Sequence, residues 1–482
     1  MQQQGVAFDS ATIMLNMKAC SNLGSIDKLH KLHDEMMFKG VIDGGDIIGN
    51  ALVDAYMKCS SFYEAKEVFD NLFHRDIVSW NTLITGYVKQ GHSEECLNCF
   101  EQMQFEGASP NSVTYICALK ACTSIGAIDE GQKIHAEIDR KGFLGRDLRI
   151  GTALVDMYCN CGMLKKAREV FEKLPEHDVV AWTSLISGYA QHNQSNMALV
   201  SFQLMLTQGI CPSSATFVCV LKACGDVGDE DKGFEIHVEV VRKGLLKTNA
   251  LVGNALVDMY AKCGEFSKAQ DVLDNLPAKD SIAWNAIITS YVRHGHDEEA
   301  LDCFHKMQRQ CLLLPDAVTY ISILKACGHV GATCKGQEIH DEITREGLLD
   351  KSFLLSTALV DMYAKCGALA MALQLVQELP IRNEVSWNAL IAGYAQHDKV
   401  HEALSCLAQM QRDSIPDEVT FTCILKACSS TGSLDKGKEM HSVIFNRGLL
   451  EKSIVLGNSL VDMYSKCGML EKSQQVLTTL PV

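Results

Sequence analysis

Only eight of the 482 residues are proline, too few for domains strung on Pro-rich linkers. No uninterrupted apolar run approaches the roughly 18 residues that a membrane helix needs, so a soluble chain with no membrane partner is expected. The opening MQQQGVAFDSATIM has neither the apolar centre of a secretory signal nor the Arg- and Ser-rich amphipathic character of a transit peptide. Targeting is therefore expected to be absent or lost. Basic residues are also short, with 44 Lys and Arg against 59 Asp and Glu and a formal net charge of −15. Judged by its sum, that charge has the wrong sign for a nucleic-acid binder.

What is present is repetition. The segment VDMYAKCG occupies Val257 to Gly264 and again Val360 to Gly367, with variants at Val53, Val155 and Val461. The aspartates of these segments, Asp54, Asp156, Asp258, Asp361 and Asp462, follow one another at intervals of 102, 102, 103 and 101 residues. The 21 cysteines largely obey the same period. Cys20, Cys122, Cys224, Cys327 and Cys428 stand in KAC, and Cys59, Cys161, Cys263, Cys366 and Cys467 close the repeated heptad. A cysteine recurring once per period in phase with apolar residues behaves as a small buried hydrophobe, in a reducing compartment. The one CxxC, Cys96 to Cys99, falls where the other periods read MALVSF, EALDCF and EALSCL, so Cys96 replaces an Ala and reads as structural.

Each period divides into three blocks of 35, 36 and 31 residues, and each block reads as two short helices joined by a turn. In the first, Trp80, Leu83, Ile84 and Tyr87 recur at helical spacing, a Gly breaks the pattern, and Cys96, Leu97, Phe100 and Met103 share the face of a second helix. A hairpin of this size cannot bury its apolar face alone, so neighbours must stack.

These blocks resemble the pentatricopeptide repeat, in the P, L and S variants of the plant-type PLS subclass. SWNTLITGY carries the P pattern, VTYICALKAC with GQKIH the L pattern, and GNALVDMYAKCG the S pattern. The resemblance implies an all-α, right-handed superhelical solenoid of 14 motifs covering residues 10–482. Residues 1–9 end a preceding partial repeat, L spans 10–45 and S 46–76, and PLS triplets follow at 77–178, 179–280, 281–383 and 384–482, the last S being truncated. No E or DYW extension is recognisable before the final Val482.

The resemblance further implies sequence-specific binding of single-stranded RNA, one base per motif, with the fifth and last residues of a motif at the base edge and an aliphatic second residue against its face. The fifth residues of the P and S motifs are Asn50, Asn81, Thr152, Thr183, Asn254, Asn285, Thr357, Asn388 and Asn458. The last residues are Asp76, Asn111, Asp178, Ser213, Asp280, Asp316, Asn383 and Asp417. The bland alternative is that Asp or Asn before a helix is an N-cap and Asn or Thr in the first turn bonds locally. Against it, the fifth residues of the L motifs are Met14, Ile116, Val218, Ile321 and Thr422, four of them apolar in similarly patterned helices. Polarity there is not needed to make the helix, and the L motifs are expected to be spacers or weak readers. Carried over motif by motif, the family code spells U-Y-n-G-R-n-U-U-n-A-U-n-Y, with n for an L motif.

Position also answers the charge. Lys58, Lys89, Lys262, Arg293, Lys365 and Lys466 close first helices of P and S motifs, where the family places phosphate contacts. Solvated lysine faces are the alternative. The four tryptophans, Trp80, Trp182, Trp284 and Trp387, recur in phase with the apolar stripe and are expected in the core rather than stacked on bases. Three HxE matches, beginning at His135, His237 and His340, imitate a zinc deaminase, but no PCxxC follows and one histidine per period assembles no metal site. The expectation is therefore no enzyme, no cofactor and no metal. The chain would be a monomer that chooses organellar transcripts, in mitochondrion or chloroplast, for C-to-U editing by a deaminase or editing factor supplied in trans. Transcript protection or processing by occupancy remains open, as does a protein-binding scaffold of tetratricopeptide type.

Overall fold

A computed structural model describes residues 10–38, 46–277, 279–310, 315–349, 352–379, 382–450 and 453–479; the expected partial repeat at 1–9 lies outside them. The described residues form helices and turns, with no strand among them. Two compact units divide the chain, residues 1–232 and 233–482, and each is a stack of helical hairpins.

In the first unit, the first helices of successive hairpins are Ser10–Asn22, Asp46–Lys58, Ile77–Lys89, Ser112–Ile125, Leu148–Asn160, Val179–Gln191 and Ser214–Val227. In the second they are Ala250–Lys262, Ser281–Arg293, Ala317–Val330, Phe353–Lys365, Glu384–Gln396, Glu418–Thr431 and Ile454–Lys466. Within each unit a first helix packs on the first helices before and after it and on its own second helix. That sandwiching explains why first helices are apolar over most of their circumference: Leu148–Asn160 buries Ile150, Leu154, Val155, Met157, Tyr158 and Cys159. Second helices bury one stripe only, as in Ile128–Arg140 with Ile134 and Ile138 inside.

The lengths of the three hairpin types have a structural origin. Second helices run 13 residues at Ser93–Phe105 and Ile128–Arg140 but only 9 at Phe62–Asp70 and Leu164–Glu172. The shortest blocks therefore lack about one turn of second helix. First helices close on a left-handed residue, glycine where the L type ends at Gly126 (φ 67°), and Asn193 or Asp398 where a side chain occupies that conformation.

The tryptophans lie in the core: Trp80 and Trp284 are fully buried, Trp182 and Trp387 nearly so. Trp80 meets Phe69 of the preceding hairpin edge-on at 4.7 Å, as Trp182 meets Phe171 at 4.6 Å. The described cysteines are free thiols. Burial pushes the Cys122 thiol up to about 12 and the Cys99 thiol up to about 11, which leaves both protonated and inert at neutral pH.

Candidate nucleic-acid interface

Because the first helices begin at Ile77, Ala250, Ser281 and their equivalents, Asn81, Asn254 and Asn285 are each the fifth residue of a helix, one turn in. The residue before each helix is its N-cap. Asp76, Asp178, Asp280, Asp316 and Asp417 accept the backbone N–H three residues on, at 2.8 to 3.0 Å. Asn111, Asn383 and Ser213 do the same. N-capping is thus a real occupation of these side chains, and it ties one oxygen of each. The Asp76 pKa is lowered chiefly by the Ser79 backbone N–H. Partial burial raises that of Asp417, but the Thr420 N–H and hydroxyl and the Asn388 amide outweigh it and hold it below the usual range. Both carboxylates are ionised at neutral pH.

The remaining capacity of the caps faces the fifth residue of the preceding first helix. The Asn254 amide donates to Asp280 Oδ2 at 2.8 Å, Asn285 to both oxygens of Asp316 at 3.0 and 2.9 Å, Asn388 to Asp417 at 3.0 Å and Asn81 to Asn111 at 3.2 Å. The structure therefore joins four of the expected pairs directly. Among the described residues no direct hydrogen bond joins Asn50 to Asp76, Thr152 to Asp178, Thr183 to Ser213 or Thr357 to Asn383. Asn458 has no described cap beyond its own hairpin.

Asn50 and Asp76 nonetheless meet across an open cleft of about 640 Å³ between helices Asp46–Lys58 and Ile77–Lys89. Its walls carry Ile47, Asn50, Asp54 and Lys58 from one helix and Val78, Asn81, Thr85 and Lys89 from the next, with Asp76 between them. Residues four apart share a helix face, so the second, fifth, ninth and thirteenth residues line one surface. The second residues of the first helices are aliphatic side chains left 43% to 73% exposed: Ile47, Val78, Val113 and Val180 in the first unit, and Leu251, Ile282, Val318, Leu354, Val385, Val419 and Val455 in the second. Arg149, Ala215 and Ala11 are the exceptions. An aliphatic side chain held out of the core at the same helix position in hairpin after hairpin is not required by packing.

The cations divide into two kinds. Lys58, Lys262, Lys365 and Lys466 are each ion-paired one turn back, to Asp54 (2.6 Å), Asp258 (2.9 Å), Asp361 (2.7 Å) and Asp462 (3.0 Å). Lys89 and Arg293 are exposed and form no salt bridge among the described residues. Sequence reasoning missed a second set. Lys18, Lys120, Lys222, Lys325 and Lys426, the ninth residues of the L-type first helices, are exposed and likewise unpaired among the described residues. Their signal was the same KAC triplet that carries the periodic cysteine. In Leu148–Asn160 the pattern changes: Asn160 replaces the lysine, and burial pushes the Asp156 carboxyl above its ordinary value, against which Asn160 and Lys120 act.

The histidines of the HxE segments are engaged elsewhere. His135, His237 and His340 each direct Nδ1 at a tyrosine hydroxyl of the next hairpin, at 2.8 to 2.9 Å. Among the described residues no cluster of His, Cys, Asp and Glu has the geometry to hold a metal ion, and no helix is long and apolar enough to cross a membrane.

Comparison with known proteins gives one family. Residues 75–124, 177–226, 279–329 and 382–430 match the model described as the PPR repeat family, and 50–77, 152–179, 254–280, 419–449 and 458–478 match the PPR repeat. The chain is 35% identical over 432 residues to the chloroplastic pentatricopeptide repeat-containing protein At1g11290 of Arabidopsis thaliana, covering 89% of this chain and 53% of that protein. It is 32% identical over 484 residues to the mitochondrial At2g03380 of the same plant, covering 100% and 69%. With the chloroplastic At4g18520 it shares 31% over 487 residues, covering 100% and 77%. The chain thus spans between about half and three quarters of the length of these relatives. The crystal structure of the pentatricopeptide repeat protein PPR10 from maize superposes with a TM-score of 0.68 at 21% identity, over 99% of this chain and 74% of that one. The same protein in complex with an 18-nt psaJ RNA element gives 0.50 at 18%, over 98% and 74%. At these identities the two structures bear on the fold alone.

Proposed function

The chain belongs to the pentatricopeptide repeat family, and from that premise we propose that it binds single-stranded RNA sequence-specifically. The observation that carries the reading is the cleft between Asp46–Lys58 and Ile77–Lys89, where an exposed aliphatic, a polar fifth residue, an ionised N-cap and a terminal lysine lie on one face. Each matches one part of a nucleotide. The aliphatics Ile47 and Val78 offer a surface for a base face, the Asn50 and Asp76 groups a donor and an acceptor for its edge, and Lys58 and Lys89 a charge for phosphate.

Base by base, the reading assigns Asn with Asp to U, Asn with Asn to a pyrimidine, Thr with Asp to G, Thr with Asn to A, and Thr183 with Ser213 to a purine. The relatives' names, chloroplastic and mitochondrial, support an organelle transcript as target. The P, L and S alternation supports target selection for C-to-U editing, with the deaminase as a separate partner. The deciding experiment is selection from a random RNA pool by the purified chain. Enrichment of U-Y-n-G-R-n-U-U-n-A-U-n-Y supports the proposal, and a pool that stays random while a protein partner binds overturns it.

A further inference from the structure

The fifth residues of the first helices fall into two classes that their identities conceal. At Asn81, Thr183, Asn285 and Asn388, the threonine at the third position of the following first helix reaches back to the side chain. Thr114 Oγ1 donates to Asn81 Oδ1 at 2.7 Å and Thr420 to Asn388 Oδ1 at 2.6 Å, and Thr319 donates to Asn285 Oδ1. Thr183 gives its own proton to the Val179 carbonyl, so Thr216, 2.7 Å away, is the donor there. All four threonines are buried. Thr114, Thr216 and Thr420 accept the backbone N–H of their N-caps at 3.1 to 3.2 Å. The cap side-chain oxygens compete for the single hydroxyl proton, at 3.1 Å from Thr114, 3.0 Å from Thr319 and 2.8 Å from Thr420, but in each case the fifth residue's oxygen is the nearer acceptor.

The other junctions lack this threonine. The third residues there are Ser79, Ala181, Ala283 and Ser386. Alanine has nothing to offer, and the two serines, free of the β-branch that restricts threonine at χ1, lie nearest their own caps Asp76 and Asn383 at 2.9 and 2.7 Å, with Thr357 a longer 3.4 Å from Ser386. Oδ1 of Asn50, Oγ1 of Thr152 and Oδ1 of Asn254 accordingly find no partner among the described residues.

We propose that Thr114, Thr319 and Thr420 are positioning residues that fix the polarity of the asparagine before them. With its carbonyl accepted, such an asparagine presents only N–H to a ligand, and so selects a pyrimidine edge that offers an acceptor at that point. Asn50, whose carbonyl is vacant and whose amide has no bond to its cap among the described residues, can turn over and present either group, whereas Asn254 is held at its amide end by Asp280 at 2.8 Å but keeps a vacant carbonyl, so an acceptor remains beside its N–H. This deepens the RNA reading above and rests on it. It also separates two motifs with one residue pair: Asn285 with Asp316 discriminates between bases more sharply than Asn254 with Asp280.

Competition binding with RNAs varied singly at the bases facing Asn285 and Asn254 tests this. Thr319→Val, which keeps the shape and removes the hydroxyl, should lower the preference for U over G at the first base by about three- to tenfold, the worth of one neutral hydrogen bond. The second base should be unaffected, and Thr319→Ser, free to turn to the Asp316 cap as Ser79 turns to Asp76, should lose a similar share. Ala283→Thr should sharpen the preference at the second base. Equal loss of affinity for every base in Thr319→Val, or unchanged preferences at both positions, overturns the proposal. Solvent exchange of the Asn285 side-chain amide protons, followed by NMR in the free protein, should accelerate in Thr319→Val. An unchanged rate overturns the proposal without reference to RNA. Failure of every variant and the parent to bind RNA sinks the RNA reading instead, and the amide exchange still decides this one.

Discussion

His340 and Tyr363 join consecutive hairpins through a hydrogen bond between imidazole Nδ1 and the phenol, 2.9 Å long. The bond recurs at His33 with Tyr56, His135 with Tyr158, His237 with Tyr260 and His441 with Tyr464. In all five histidines burial is the largest influence and holds the pKa below the ordinary 6.5. The unfolded chain therefore takes up protons first as pH falls. Above about pH 7 these groups are neutral in both states and contribute no pH dependence, whereas below 6.5 the unfolded state binds more protons and stability declines until the folded pKa values are passed. Thermal melts should show Tm flat from pH 7 to 8 and falling from 6.5 to 5. Replacing His135, His237, His340 and His441 by Gln should flatten the acidic limb, and an undiminished limb would assign it to other groups.

Under the proposed base-by-base reading, Thr152 is the residue through which base identity should be switched. It is 8% exposed, its hydroxyl has no partner among the described residues, and Asp178 lies at the next cap. Thr152→Asn should move the fourth base of the selected RNA from G to U, with discrimination on the order of 1–3 kcal/mol, the scale of one mismatch. Selection on random RNA with parent and variant measures it. A variant that merely binds more weakly, with G still selected, would leave Thr152 as a packing residue.

The groove lysines should differ according to their ion pairs. Lys120, Lys325 and Lys426 to Ala should weaken all RNA sequences alike and flatten the slope of log K against log salt by about 0.7 for each phosphate no longer neutralised. Asp361→Asn removes the carboxylate that holds Lys365 at 2.7 Å and should raise affinity while steepening that slope. Filter binding over a salt series reads both. A slope unmoved by all four substitutions would place the phosphates elsewhere.

Two glycines predict different responses to an added methyl group. At Gly393 a Cβ would stand 2.5 Å from Ala364 Cβ and 3.1 Å from its Cα, atoms fixed by a neighbouring helix. At Gly336 it would meet Sδ and Cε of Met362, the movable end of a flexible side chain. Both substitutions gain about 1 kcal/mol of helix propensity. Gly393→Ala should still lose about 1–3 kcal/mol to overpacking, whereas Gly336→Ala should be near neutral by urea unfolding. Equal effects would mean that the two helix neighbours yield alike.

The sequence by itself determined the hairpins, their three types and their burial pattern, because those follow from short-range signals repeated near every 102 residues. An apolar stripe at helical spacing, a polar residue before it and a Gly after it state one hairpin, and repetition states that hairpins stack. The candidate site was legible to the same depth: Asn254 and Asp280 could be named as partners, and the structure places them 2.8 Å apart. The Asp361–Lys365 pair was equally within reach, since four residues along a helix make neighbours of any sequence. What only the tertiary structure decided is which atoms of these side chains are already engaged. Thr319 and Asn285 are 34 residues apart, and the bond between them depends on the separation of two packed helices and on one rotamer. Ala283 and Thr319 occupy the same helix position and look interchangeable in a periodic pattern. Only the packed hairpins show that one leaves the carbonyl of the preceding amide vacant and the other engages it.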